Sequence, residues 1–103
     1  MTQLIIRPLA DGDEAAVIAL WQACGLTRPW NDPARDLAFA RGKPNSDILV
    51  GLAENRIVAS AMVGHDGHRG VMYYVAVDPA LQGRGLGRQM VAAAEAWLLA
   101  RGV

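Results

Sequence analysis

Apolar and polar positions divide the chain into seven segments. Leu4-Ile5-Ile6-Arg7 is a short strand-forming run, ended by Pro8, which has no N–H for a ladder. Val17, Leu20, Trp21 and Cys24 follow at i, i+3, i+4 and i+7, one apolar face of a helix. Asp11 with Glu14 three residues later fits a capping box at its start, and Gly25 fits its stop. Asp32 before Pro33 starts a second short helix, which runs to about Arg41 and gives way to a loop at Gly42, Pro44 and Asn45. Asp47 to Glu54 and Ile57 to Gly64 are apolar strands around a tight turn at Asn55-Arg56, hence a hairpin. The polar stretch His65 to Gly70 feeds a further strand, Val71 to Val77, rich in β-branched and aromatic residues. Asp78-Pro79 ends it. Leu86, Met90, Ala93, Ala94 and Trp97 then mark one face of a long helix at i, i+4, i+7, i+8 and i+11. That helix runs to Arg101, with Gly102 as its stop. The order is β-α-α-β-β-β-α, an α/β (α+β) pattern.

Between the last strand and the last helix lies Gln82-Gly83-Arg84-Gly85-Leu86-Gly87. A strand, a glycine loop and a helix in that order make an anion site. The first N–H groups of a helix have no intrahelical partner, and glycines let a phosphate approach the main chain. The spacing selects among nucleotide motifs. A Walker loop needs G-x-x-x-x-G-K-[ST]; counting from Gly83, the sixth position is Arg88. A dinucleotide fingerprint needs its third glycine at the same place and an acid about 20 residues on, and the sequence supplies neither. What fits is Q/R-x-x-G-x-G/A, as Gln82, Gly85 and Gly87.

That loop, after a strand ending Val-Asp-Pro, resembles the acyl-CoA loop of the GNAT N-acetyltransferase superfamily. Arg28-Pro29-Trp30-Asn31-Asp32-Pro33, Asp66-Gly67-His68-Arg69-Gly70 and Tyr73-Tyr74 are similar to the YpeA group of small bacterial acetyltransferases. The resemblance implies the GNAT fold, with a mixed, mostly antiparallel sheet. It also implies transfer of an acetyl group from acetyl-CoA to a primary amine. Gly83, Arg84, Gly85, Leu86 and Gly87 would cradle the pyrophosphate through their N–H groups, with Gln82 in the motif and charge from Arg84 and Arg88. Arg84 and Arg88 read equally as solvated arginines at a helix start. Val75, Ala76 and Val77 would offer main-chain groups to pantetheine, and an N–H near Val75 would polarise the thioester. Trp30, Asn31 and Asp32 fall where the family shapes its acceptor pocket, although capping explains Asp32 as well.

The base is open among Asp66, His68, Tyr73 and ordered water. His68 has a suitable unperturbed pKa, yet a turn residue, a loop residue and a core aromatic are the simpler readings of the three side chains. The family's usual acid, a Tyr on a fourth helix, has no counterpart here, nor do its fifth strand and closing hairpin. Residues 1–103 are therefore expected to form one GNAT domain, incomplete on its C-terminal side. The competing reading is a non-catalytic CoA-binding or interaction module lacking the acid helix.

Composition narrows the partners. The 103 residues carry ten Lys+Arg against ten Asp+Glu, which argues against a general nucleic-acid or membrane surface. Hydrophobic content of 52% is enough for a core. Cys24 is the one cysteine, so neither an internal disulfide nor a cysteine metal cluster is expected, no metal is implied, and a reducing cytoplasm is the default. An apolar strand with an open far side is a template for association, so a homodimer or strand-exchanged assembly is expected through Val71–Val77.

Overall fold

A computed structural model gives the structure, which describes residues 3–103. Its spine is the hairpin of β2 (Ser46–Ala53) and β3 (Arg56–His65). The tight turn sits at Glu54-Asn55, one residue earlier than the sequence suggests, with φ of 52° and 62°. Positive φ at both central residues is what a type I′ hairpin requires, and Ala53 pairs with Arg56 across it. β1 (Ile5–Pro8) lies against β2, with Ile5 opposite Leu52. Pro8 is the last residue of β1 rather than a stop before it. The strand is at the sheet edge, where a missing N–H is tolerated. β4 (Gly70–Val77) lies against β3, giving the order β1-β2-β3-β4 with every adjacent pair antiparallel.

The central strands are apolar on both sides because both sides are covered. α3 (Leu86–Ala100) packs on one face, where Leu86, Met90, Ala94 and Trp97 meet Leu49, Ala59, Ala61 and Val63. α1 (Glu14–Ala23) and α2 (Pro33–Ala40) pack on the other, where Val17, Leu20, Trp21 and Leu37 meet Ile48, Val50, Met62 and Ala76. Burial of each large side chain contributes roughly 1.5–3 kcal/mol. Gly51 marks the close approach of α3 to the sheet. A Cβ there would stand 2.8 Å from Met90 Sδ and 2.9 Å from Leu4 Cδ1. Among the described residues no helix is long and apolar enough to cross a membrane.

The second helix starts as its sequence requires: Asp32 accepts from the N–H groups of Ala34 (3.1 Å) and Arg35 (3.2 Å), with Pro33 in the first turn. The first helix does not. Asp11 is no cap; it is an exposed partner of Arg41 at 3.0 Å. Asp13 occupies the cap position, and its carboxylate is drawn to Arg7 of β1 (2.6 Å) and the Ala10 N–H (2.8 Å). Glu14 turns back to the Gly12 N–H at 2.7 Å and pairs with Arg41 at 2.9 Å. Tertiary partners at Arg7 and Arg41 thus override the local box.

The hydrogen bond from Arg7 holds the Asp13 carboxyl below its ordinary range. A folded-state pKa below the unfolded one adds stability that is full above about pH 4 and lost as pH falls through the folded value. We expect Asp13→Asn to flatten the acid limb of a plot of Tm against pH, with little change in slope near neutrality. Equal acid limbs for the two proteins would remove Asp13 from the acid sensitivity.

Candidate active site

β4 ends at Val77, and the next residue, Asp78, donates its N–H to the Val58 carbonyl at 2.8 Å. Asp78 then caps a single 3-10 turn, Pro79–Leu81, through the Ala80 N–H at 2.9 Å. The glycine loop follows. Gly83 and Gly85 have φ of +81° and +80°, the left-handed region in which a Cβ is strained. An added Cβ at either would meet nothing within 4 Å, and at Gly87 only Val77 Cγ2 at 3.7 Å, so the loop surface is open. Gly85 is the N-cap of α3 and supplies no side-chain cap. The N–H groups of Leu86, Gly87 and Arg88 therefore lack intrahelical partners. The Leu86 side chain is buried and pins the loop to the core. Arg84 and Arg88 are exposed, and neither has an ion-pair partner among the described residues. Open donors, left-handed glycines and two arginines free of ion pairs fit a phosphate group.

β4 is not a regular strand. Its register with β3 passes from Met62↔Tyr73 to Ser60↔Ala76, so Tyr74 and Val75 stand together opposite Ala61. That is a β-bulge, and it carries a bulky residue, Tyr74, at φ +49°. The bulge resets the alternation of faces. Met72 packs toward α3, whereas both Tyr74 and Ala76 pack toward α1 and α2. Tyr74 stacks on Trp21 with ring centroids 4.0 Å apart, and its hydroxyl donates to Asp36 Oδ2 at 2.9 Å. Burial, and then the Asp36 carboxylate, push that hydroxyl's pKa up, with the Asn31 side chain acting the other way. Beyond the bulge, inward pairing of Asp78 turns the Val77 N–H toward the open edge. The Val77 carbonyl is already taken, by Cys24 Sγ at 3.1 Å and Gln82 Nε2 at 3.2 Å. Cys24 is thus half-buried at the end of α1, with its thiol on this carbonyl.

The structure separates the remaining candidates. Asn31 lines a shallow cleft of about 310 Å³ with Leu26, Tyr73, Tyr74 and Val75, beside the bulge. Trp30 is 79% exposed, and Asp32 is spent on its cap. Tyr73 is a half-exposed edge residue rather than a core aromatic. It joins the Asn31 cleft to a second one of about 410 Å³, lined by Phe39, Asp66, Arg69 and Val71. Asp66 Oδ1 accepts from the N–H groups of Arg69 (2.8 Å) and His68 (2.9 Å), which hold its carboxyl below the usual range. His68 lies across the sheet, beside Glu95 and Leu98 of α3. The loop at 65–70 is at the far end of eight-residue β4, roughly 25 Å from the glycine loop. Trp21, Asp36 and Ser60 shape the bulge around Tyr74 without any motif to signal them. Ser60, a lone hydroxyl in the apolar run Ile57 to Val63, is the one visible anomaly.

Comparison with known proteins gives the family and the fold. Residues 15–103 match the model of the Acetyltransferase (GNAT) family, and the chain belongs to that family. It is similar to an acetyltransferase of Pectobacterium atrosepticum, 42% identical over 97 residues that make up 94% of this chain and 69% of the relative. Its fold is like that of an AAC(6')-Iy structure in complex with the bisubstrate analogue CoA-S-monomethyl-acetylneamine. There the TM-score is 0.81 at 15% identity, over 98% of this chain and 75% of the other. It is also like the ribosomal-protein-S18-alanine N-acetyltransferase of Escherichia coli, with TM-score 0.79 and 22% identity over 98% of this chain and 63% of the other.

Proposed function

We propose that this GNAT acetyltransferase moves an acetyl group from acetyl-CoA to a primary amine by direct transfer. The observation that carries the reading is an open anion cradle at the end of a bulged edge strand. The N–H groups from Gly83 to Arg88 hold the pyrophosphate, where a helix N-terminus contributes up to about 2 kcal/mol. Arg84 and Arg88 add charge. Val75 and Val77 present their N–H groups to pantetheine, the Val77 carbonyl already having two donors, while Ala76, paired with Ser60, turns its main-chain groups toward β3 and lines the arm only from the side. The Val75 N–H faces the thioester oxygen and stabilises the negative charge that develops there; one such donor is typically worth ~10²-fold or more in rate. The amine nitrogen bonds to the carbonyl carbon, the C–S bond breaks, the amine loses a proton and the thiolate gains one. The lone thiol, Cys24, suits a reducing cytoplasm.

The direct test is acetyl-CoA with a panel of amines, read as acetylated product by mass spectrometry. Product formation supports the enzyme. CoA binding without turnover on any amine would favour a non-catalytic CoA-binding module.

Of the three proton-transfer candidates, Tyr73 borders the cleft that reaches Val75, while Asp66 and His68 sit at the far end of β4. We expect Tyr73→Phe to lower turnover by about 10²-fold with CoA affinity unchanged. Asp66→Ala and His68→Ala should likewise spare CoA affinity and change only acceptor use. Loss of CoA affinity in any of the three would displace that residue from the acceptor side.

The open edge of β4 exposes Val71, Tyr73 and Val75, and we propose that a second copy of the chain pairs there. Pairing and pantetheine would use the same main-chain groups, so acetyl-CoA should shift the equilibrium toward monomer. Sedimentation at several concentrations, with and without acetyl-CoA, reads this; a monomer under all conditions contradicts it.

A further inference from the structure

Ser60 is fully buried, and it is the one buried polar side chain among the described residues. Its Oγ accepts from Trp21 Nε1 at 2.9 Å and donates to the Tyr74 carbonyl at 3.0 Å. Tyr74 holds a left-handed φ of +49° and, like Val75, has no register partner in β3. Such a conformation in a bulky residue persists only where its surroundings over-determine it. Here the ring is clamped by Trp21, the hydroxyl by Asp36 and the carbonyl by Ser60.

The Tyr74 carbonyl and the Val75 N–H belong to one peptide unit. No peptide bond among the described residues is cis. In a planar trans unit the C=O and the following N–H point in opposite directions. A hydroxyl that draws the Tyr74 carbonyl inward therefore turns the Val75 N–H outward, toward the open edge. The Trp21 indole fixes that hydroxyl in turn: by donating to Oγ, it leaves the hydroxyl proton for Tyr74. We infer that Ser60, oriented by Trp21, is a positioning residue that aims the Val75 N–H at the acetyl carbonyl. The inference rests on the acetyl-CoA reading above, and it concerns a buried residue of the neighbouring strand, β3, rather than of β4.

The test uses [1-¹³C]acetyl-CoA and needs no knowledge of the acceptor. With wild type, the bound carbonyl resonance should move downfield of the free one as the N–H polarises it. With Ser60→Ala it should return toward the free position while CoA affinity stays within about twofold, because the glycine loop is untouched. Ser60→Thr, which keeps the hydroxyl, should retain the downfield shift. Trp21→Phe, which keeps a stacked ring and loses the indole donor, should give an intermediate shift and covers the case in which Ser60→Ala does not fold. An unchanged carbonyl resonance in folded Ser60→Ala overturns the inference. If wild type binds no acetyl-CoA, the acetyl-CoA reading is what has failed. The Tyr74 and Val75 amide signals of the free proteins then decide the positioning role: displacement in Ser60→Ala supports it, and coincidence with wild type overturns it.

Discussion

Gly85→Asp is expected to weaken CoA binding by at least about 100-fold, which corresponds to ~2.7 kcal/mol. Two effects act together. The new carboxylate sits at the N-cap of α3, where it can take the first-turn N–H groups for itself. It also places a negative charge about 4 Å from the phosphates, and at an effective dielectric constant of ~20 that repulsion is ~4 kcal/mol. The substitution carries a second cost, because φ at this position is +80°. That strain is roughly 1–2 kcal/mol and acts on the fold, so Gly85→Ala is the control: it has the strain without the charge. Space is not the issue, since a Cβ there meets nothing within 4 Å. Calorimetry on the three proteins should rank wild type above Gly85→Ala and Gly85→Asp far below both. Equal affinity for wild type and Gly85→Asp would move the cofactor elsewhere.

The largest expected loss of stability is at Trp21. It is fully buried, stacked on Tyr74 and hydrogen-bonded to Ser60. Truncation of such a residue to Ala typically costs about 3–5 kcal/mol. For a domain of about 100 residues, each kcal/mol lowers Tm by roughly 4–8 °C. Trp21→Ala should therefore melt more than about 12 °C below wild type by circular dichroism. Leu99→Ala, at an exposed position of α3, should melt close to wild type. A Trp21→Ala variant within a few degrees of wild type would mean that the α1 face of the sheet contributes little to the fold.

The order of elements was legible because each is written in local pattern: helix faces at Val17–Trp21 and Leu86–Trp97, a hairpin turn at residues 53–56, and a proline after Asp32. The glycine loop was legible for the same reason. Its spacing is a direct image of two left-handed residues and a helix start, and such requirements fall on the residue itself. The bulge was not legible. Tyrosine has no preference for positive φ, and what holds Tyr74 there comes from positions 21, 36 and 60, distant in sequence. The cap of α1 failed similarly. Asp11 and Glu14 fit the local rule, but Arg41 pairs with both across space, and Asp13, at the cap position, is drawn to Arg7. Asp66 and His68 look like neighbours in a list of candidates, yet a tight loop sends one to each face of the sheet. Residues whose roles are fixed by tertiary partners leave little trace in a single sequence.

The most direct measurement is an amide ¹H–¹⁵N titration of the whole chain with acetyl-CoA. The expected result is saturable movement of the signals from Gly83 to Arg88 and from Val75 to Val77. Signals from the loop at residues 65–70, at the far end of β4, should move little. Saturable binding centred on that far loop, or no movement of the Gly83–Arg88 amides at saturating acetyl-CoA, would contradict the glycine loop as the cofactor site.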